Sequence, residues 1–126
     1  MTKFLFDSSA WVEVFTGRDK YSQVLELHEK ADVTYITAID LYQVCSSLEQ
    51  SQGIEQATKK RELIERTSSL VEITKEIALK AIELRRKKKM TSLVCLTLAA
   101  CEVNSATLVT LDPHFKGIKN VVYLGE

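Results

Sequence analysis

The chain has 126 residues, 45% of them hydrophobic and 27% charged, and its 17 basic residues balance its 17 acidic residues. A chain of this length has room for one folded domain, residues 1–126, with a core of its own. The net charge of zero argues against a surface coated with basic residues for nucleic acid, although it allows a local basic patch. The longest apolar run, residues 93–101, is far too short to cross a bilayer.

The cysteines Cys45, Cys95 and Cys101 are odd in number, and no pair has the short spacing of a zinc knuckle or redox motif. All of them stand in apolar stretches with helical patterns, where a free cysteine behaves as a small hydrophobic residue. The sequence before Asp7 has no signal-peptide pattern, so none is expected. These features predict a cytoplasmic protein whose thiols are reduced.

The first element in chain order is a short apolar run, residues 3–6, which predicts a buried strand that stops at Asp7. Ser8, Ser9 and the apolar residues after them predict a helix as far as Gly17. Asp7 therefore has two readings. It is a ligand-binding carboxylate at the carboxyl end of a strand, or it is simply the cap of the helix that follows.

Helical and extended patterns alternate along the rest of the chain. Strands are predicted at residues 33–37, 70–73, 106–110 and 120–124, and helices at residues 19–31, 41–52, 54–66, 75–89 and 92–103. This alternation predicts an α/β fold, a three-layer α/β/α sandwich with a central, mostly parallel sheet. Crossover connections in such a sheet are expected to be right-handed.

Asp40 and Gln43 stand three residues apart at the start of a predicted helix, which is the spacing of a capping box. We expect Asp40 to be the N-cap and Gln43 to be its structural partner. The alternative is that Asp40 is a site acid and that Gln43 offers a carbonyl oxygen to a metal or an amide to a phosphate.

Two predicted strands are followed by acids, Asp7 after the first and Asp112 after the fourth. The carboxyl ends of parallel strands meet at one edge of the sheet, so the two carboxylates would repel each other unless a cation or a proton lies between them. Mg²⁺ or Mn²⁺ is the obvious cation, because such ions are held by one or two carboxylates together with substrate phosphate. An ion held there could polarise a phosphodiester and activate water.

With these motifs in place, the sequence resembles the PIN domain family, in particular the small VapC-type toxins of toxin–antitoxin pairs. The resemblance covers essentially the whole chain and is carried by the order and spacing of its motifs. These are FLFDSSAWVEVFTG at residues 4–17, ITAIDLYQV at residues 36–44, IALKAIELRRKKK at residues 77–89, and the small-residue helix that leads to Thr110, Asp112 and Phe115.

The resemblance implies a metal-dependent ribonuclease in which three or four acids hold Mg²⁺ or Mn²⁺. The first and last acids of the family fall on Asp7 and Asp112, which become the expected catalytic and metal-binding residues. The second falls on Gln43 and the third on Val94, so two of the four positions carry no charge. Ser8, Gln43, Val94 and Thr110 are expected to line this eroded site, which would hold one ion weakly or none.

A run of basic residues closes the fifth predicted helix. Its members are Arg85, Arg86, Lys87, Lys88 and Lys89. They are candidates for contacts with RNA phosphates. The alternative is a solvated helix terminus whose positive charge complements the helix dipole.

Three functions remain open. The first is a weak Mg²⁺- or Mn²⁺-dependent ribonuclease acting through Asp7 and Asp112, and the second is a catalytically inactive PIN-like module that binds RNA or an antitoxin-like protein. The third is an unrelated α/β domain whose acids are only caps. The family resemblance also implies a homodimer, and Trp11 and Phe15 are either core residues or part of the dimer surface, with the core preferred.

Overall fold

A parallel sheet forms the centre of the protein. In this computed structural model, residues 1–87 and 89–126 are described. The strands are β1 (Lys3–Phe6), β2 (Val33–Thr37), β3 (Ser69–Val71), β4 (Thr107–Thr110) and β5 (Val121–Tyr123). They form one five-stranded sheet in the order β3-β2-β1-β4-β5. Every neighbouring pair is parallel, which confirms the predicted parallel sheet.

Helices connect these strands. Within the described residues they are α1 (Ser8–Thr16), α2 (Tyr21–Lys30), α3 (Ala38–Gln52), α4 (Ile54–Thr67), α5 (Lys75–Lys87) and α6 (Ser92–Val103), with a 3₁₀ turn at Pro113–Phe115 before β5. In the part of the chain that the structure describes, no helix is long and apolar enough to cross a membrane.

The core lies in two layers, one on each face of the sheet. Neighbouring residues of a strand point to opposite faces, so Leu5 packs into one layer and Phe6 into the other, and both are fully buried. Helices α5 and α6 cover the Leu5 face, and helices α1 to α4 cover the Phe6 face. The predicted three-layer α/β/α architecture is therefore confirmed.

Trp11 of α1 is 3% exposed and belongs to the core layer on the Phe6 face, as predicted. Its ring meets Phe6 edge to face at 5.9 Å between centroids and stacks on Phe15 at 5.8 Å. Phe15 is half-buried at the margin of the same layer. These aromatic contacts hold α1 against the sheet immediately after Asp7.

The ends of several elements differ by one to three residues from the predicted ones. Helix α3 shows the largest difference, because it begins at Ala38 and not near Leu41. Strand β5 begins after Asn120, whose backbone has a left-handed φ of 61° that an extended strand cannot contain.

Candidate functional site

Asp7 joins the end of β1 to the start of α1. It is the N-cap of α1, and its Oδ1 accepts hydrogen bonds from the backbone N–H of Ala10 at 3.1 Å and from the Ser9 hydroxyl at 2.6 Å. The expected helix cap is therefore present in the structure. Because the same carboxylate stands at the carboxyl edge of the sheet, capping does not exclude it from a functional site.

Thr110, the last residue of β4, contacts the other oxygen of this carboxylate. Its hydroxyl donates to Oδ2 of Asp7, so both carboxylate oxygens accept hydrogen bonds from the chain itself. The Ser9 hydroxyl oxygen in turn accepts from the backbone N–H of Leu111 at 2.9 Å. With these partners around it, Asp7 is only 4% exposed.

Asp40 is the second buried acid at this edge, and it is not the N-cap of α3. Thr37 is the N-cap, and its hydroxyl accepts from the backbone N–H of Asp40 at 3.0 Å and donates to Asp40 Oδ2 at 2.8 Å. The prediction that Asp40 caps the helix was wrong, since Thr37 stands at the end of β2 and already provides the cap. Asp40 is 4% exposed and points into the site edge.

Ser8 ties α3 to the start of α1. Its backbone N–H donates to Asp40 Oδ1 at 3.1 Å, and its hydroxyl donates to Gln43 Oε1 at 3.1 Å. The structure thus brings Asp7, Ser8, Asp40, Gln43 and Thr110 together. Asp40 was not among the predicted site-lining residues, because it was assigned to the N-cap of α3. The Thr-x-x-Asp spacing of residues 37–40 is itself a capping signal, and it indicates that Thr37, and not Asp40, is the cap.

Burial dominates the electrostatics of the two inner acids. It raises the pKa of Asp7, against hydrogen bonds from Ser9, Thr110 and Ala10 that favour the charged form. The pKa of Asp40 is raised to about 7, first by burial and then by the nearby charge of Asp7. Two carboxyls in one dry site cannot both ionise cheaply, so the charge of Asp7 favours the neutral form of Asp40.

Asp112 lies on the outer side of the same edge. It caps the 3₁₀ turn, and its Oδ1 accepts from the backbone N–H of His114 at 3.0 Å and lies 2.7 Å from His114 Nδ1. Its own backbone N–H donates to the Thr110 hydroxyl at 3.0 Å. The side chain is 37% exposed, and its charge contributes to the raised pKa of Asp7.

Val94 stands in the first turn of α6, whose N-cap is Thr91. It is 5% exposed and packs in the core layer on the Leu5 face of the sheet. An apolar side chain therefore occupies the place where the family resemblance expects a third acid, and it contributes packing there and no metal ligand.

The residues present do not fit a divalent metal centre. Among the described residues, no group of three or more His, Cys, Asp or Glu side chains is arranged to hold a metal ion. Mg²⁺ keeps several of its waters, yet the Asp7 and Asp40 carboxylates are each 4% exposed and are bonded to donors from the chain. Asp112, whose side chain is 37% exposed, offers an accessible carboxylate oxygen at this edge.

The basic run lies at the end of α5. Arg85, Arg86 and Lys87 form its last turn and are exposed, as is Lys89 in the connection to α6. Their positive charge complements the carboxyl end of the helix dipole, which is the structural role considered above. The predicted contact through Lys88 lies outside the described residues.

Comparison with known proteins identifies the family. The family model for the PIN domain matches residues 4–121, so the chain belongs to the PIN domain family. A search of curated protein sequences finds no match.

Solved structures with the same fold include toxin–antitoxin proteins. A toxin–antitoxin complex from Klebsiella pneumoniae is 24% identical with a TM-score of 0.79, and the match covers 94% of each chain. VapBC2 of Rickettsia felis, bound to a DNA fragment from its promoter, is 20% identical with a TM-score of 0.77 over 98% of each chain. A VapC toxin of Mycobacterium tuberculosis that cleaves the sarcin–ricin loop is 13% identical with a TM-score of 0.71, covering 92% of this chain and 95% of that one. At these identities the likeness shows the fold alone.

Proposed function

We propose that this chain is a VapC-like PIN module that binds an antitoxin-like protein partner and does not cleave RNA. The observation that carries the proposal is Val94. Its side chain is buried in the core at the position where the resemblance expects an acid. The resemblance expects a second acid at Gln43, which carries no charge, whereas Asp40, three residues earlier, is the acid that lies beside Asp7 at this edge. A metal-dependent nuclease needs those charges to hold its ion and to offset the charge of substrate phosphate.

The hydrogen bonds of the remaining acids also support a chain that does not cleave RNA. Donors from Ser9, Ala10 and Thr110 hold Asp7, and donors from Ser8 and Thr37 hold Asp40. Each buried oxygen thus has a partner within the chain and needs no ion to satisfy it. These side chains stabilise the join between β1, β2, β4 and the helices that follow them.

The proposed protein partner is supported by the surface of helices α2 to α4. Tyr21 and Leu25 on α2 are 44% and 40% exposed, and Tyr42 on α3 and Ile54 on α4 are 72% and 71% exposed. Contiguous exposed apolar surface marks interaction sites, and Tyr21 and Leu25 are neighbours one turn apart on α2. The solved structures of the same fold include toxin–antitoxin complexes, and we extend that partner class to this chain as a proposal.

A homodimer is part of this proposal. Leu79 and Ile82 are one turn apart on α5 and are 54% and 49% exposed, so they form an apolar stripe on the opposite face of the protein from α2 to α4. A second copy of the chain is the partner that we propose for this stripe.

A weak Mg²⁺- or Mn²⁺-dependent ribonuclease is the second candidate. It is favoured by the placement of Asp7 and Asp112 at one edge of the sheet, where the Asp112 charge acts on Asp7. The exposed residues Arg85, Arg86 and Lys87 would be its RNA contacts.

Restoration of the missing acids separates the two candidates. We expect calorimetric titration with Mn²⁺ to give no binding heat with the wild type and measurable binding with the Gln43→Glu, Val94→Asp double variant. The matched control is Gln43→Glu, Val94→Asn, which makes the same changes in shape without the second charge. Tight Mn²⁺ binding by the wild type would favour the ribonuclease, and circular dichroism verifies that each variant is folded.

The partner is tested by co-expression of this chain with the product of each of the two genes that flank its own gene. We expect a complex of defined mass in size-exclusion chromatography with light scattering, and its loss in a Tyr42→Glu, Ile54→Glu variant. The control is a Leu79→Glu, Ile82→Glu variant, which should keep the complex and lose only self-association. If the wild type forms no complex with either product, the proposed partner is wrong.

A further inference from the structure

A cleft of about 850 Å³ opens at the amino-terminal edge of the sheet. Its walls are α5, α6, the turn between α6 and β4, and the turn before β5. Thr107, the first residue of β4, lines it, while Thr110 at the other end of the same strand bonds to Asp7. Because three residue steps along a strand span roughly 10 Å, the cleft and the acidic site are separate features at opposite edges.

The floor of the cleft is apolar. It is built from Leu84 of α5, Leu98 and Cys101 of α6, Ala106 before β4, and Ile118 before β5. All of these side chains belong to, or pack against, the core layer on the Leu5 face. Burial raises the pKa of the Cys101 thiol, so this residue is a neutral part of the floor.

The rim of the cleft carries three lysines. Lys80 lies 3.4 Å from Glu102 and 3.8 Å from Glu83, so its charge is balanced by neighbours. Lys87 and Lys119 are exposed, and within the described residues neither has a carboxylate within 4.0 Å. The rim therefore offers two unneutralised ammonium groups above an apolar floor.

An apolar floor with two lysines at its rim favours a ligand that has an apolar body and a negative charge. The volume lies within the range of small-molecule sites in proteins, which are mostly apolar with a few polar groups that orient the ligand. An apolar body would displace water from the floor, and a negatively charged end would lie near Lys87 and Lys119. A neutral apolar molecule would lose the attraction to the two lysines. A compact anion such as phosphate would not displace water from the apolar floor.

We infer that the cleft between α5, α6 and the starts of β4 and β5 is a binding site for a small organic anion with an apolar body, namely a medium-chain carboxylate. The site uses none of the residues of the acidic edge, although Lys87 is also one of the RNA contacts of the second candidate function. Lys119 and the apolar floor belong to the cleft alone.

The test is a titration of the ¹⁵N-labelled protein with decanoate below its micelle concentration, followed by amide shifts in heteronuclear NMR spectra. We expect saturable shifts concentrated at residues 105–108 and 118–121. Octanoate should bind roughly tenfold more weakly than decanoate, because two fewer methylene groups are buried. Decanol, which has the same chain length without the charge, should also bind about tenfold more weakly.

Variants of the exposed rim lysines test the charge requirement without disturbing the fold. The Lys87→Glu, Lys119→Glu double variant should weaken decanoate binding by at least about tenfold. The matched control is Lys75→Glu, which alters an exposed lysine on the same helix outside the cleft and should bind as the wild type does. Shifts centred on another surface, equal binding of decanol and decanoate, or full affinity in the double variant would overturn the inference, as would no shifts at all.

Discussion

The two edges of the sheet differ in how their polar groups are satisfied. At the carboxyl edge, Asp7 and Asp40 are buried and bonded to donors from the chain itself. At the amino edge, Lys87 and Lys119 extend into solvent above an apolar floor. The carboxyl edge is closed by its own side chains, whereas the amino edge is open. Changes to the acids should therefore alter stability, and the lysines are free to bind a ligand.

This difference has an energetic consequence. Removal of one member of a buried hydrogen-bonded group leaves its partners unsatisfied and costs roughly 1–3 kcal/mol for each group, with more for charged groups. Substitution of an exposed side chain changes stability by about 0.5 kcal/mol or less. Changes at the carboxyl edge should therefore alter folding, and changes at the amino edge should alter binding alone.

The largest effect is expected from Asp40→Asn, and it depends on pH. The pKa of Asp40 is raised from 3.8 to about 7 in the folded chain, so the folded state holds its proton more tightly than the unfolded state does. Stability contributed by this proton is complete below the unfolded pKa and is lost as the pH rises through the folded pKa. The loss by pH 8 is on the order of 4 kcal/mol.

The neutral amide of Asn avoids this loss. The variant should therefore be more stable than the wild type at pH 8, and the advantage should shrink as the pH falls toward 4. Urea denaturation of both proteins across that range measures the difference. A stability difference that does not change with pH would contradict the buried, protonated state of Asp40.

Asp7→Ala should come next, with a loss of about 3 kcal/mol. It leaves the hydroxyls of Ser9 and Thr110 and the backbone N–H of Ala10 without their acceptor. Asp7→Asn keeps the shape and most of these bonds, so it should cost much less, and thermal or urea unfolding compares the two. Equal losses in both variants would mean that the charge, and not the hydrogen-bond geometry, is what the fold requires.

A smaller effect is expected at Thr37, which both caps α3 and donates to Asp40. Thr37→Ala should cost about 2 kcal/mol, at the upper end of the range for N-caps. Thr91, the N-cap of α6, accepts from the backbone N–H of Val94 and provides the matched control, with an expected loss of about 1 kcal/mol for Thr91→Ala. Similar losses from the two variants would show that the Thr37–Asp40 bond contributes nothing beyond capping.

The smallest effect should come from Lys119→Glu at the open edge. Its free energy of unfolding should remain within about 0.5 kcal/mol of that of the wild type, because the side chain is exposed. A loss of more than about 1 kcal/mol in urea denaturation would mean that this lysine stabilises the fold, and the contrast between the two edges would then fail.

Much of the fold could be predicted from sequence. The β-branched and aromatic residues of Val33–Thr37 and the alternation of apolar strands with amphipathic helices are local signals, and they led to the correct parallel, three-layer architecture. The placement of Asp7 and Asp112 at one edge was predicted by the simple rule that acids after parallel strands share one edge. The strand and helix ends were less certain, because Thr37 and Asp40 both resemble caps and only the geometry distinguishes them.

The remaining features depend on contacts between distant segments. The burial of Asp40 follows from Ser8, which is 32 residues away in sequence, and Thr110 reaches Asp7 across 103 residues. The cleft combines two helices with two turns, and no local pattern marks Leu84 and Ile118 as neighbours. Such sites become visible only when the packing of the chain is known.

The most direct test of the central claim is an RNA cleavage assay with purified protein in the presence of Mn²⁺. The wild type and Asp7→Asn are compared at equal concentration on the same mixture of cellular RNAs, with a chelator control for each. If the acidic edge is closed and only structural, both proteins will show the same background rate with and without Mn²⁺. Cleavage by the wild type that requires Mn²⁺ and disappears in Asp7→Asn would contradict the account.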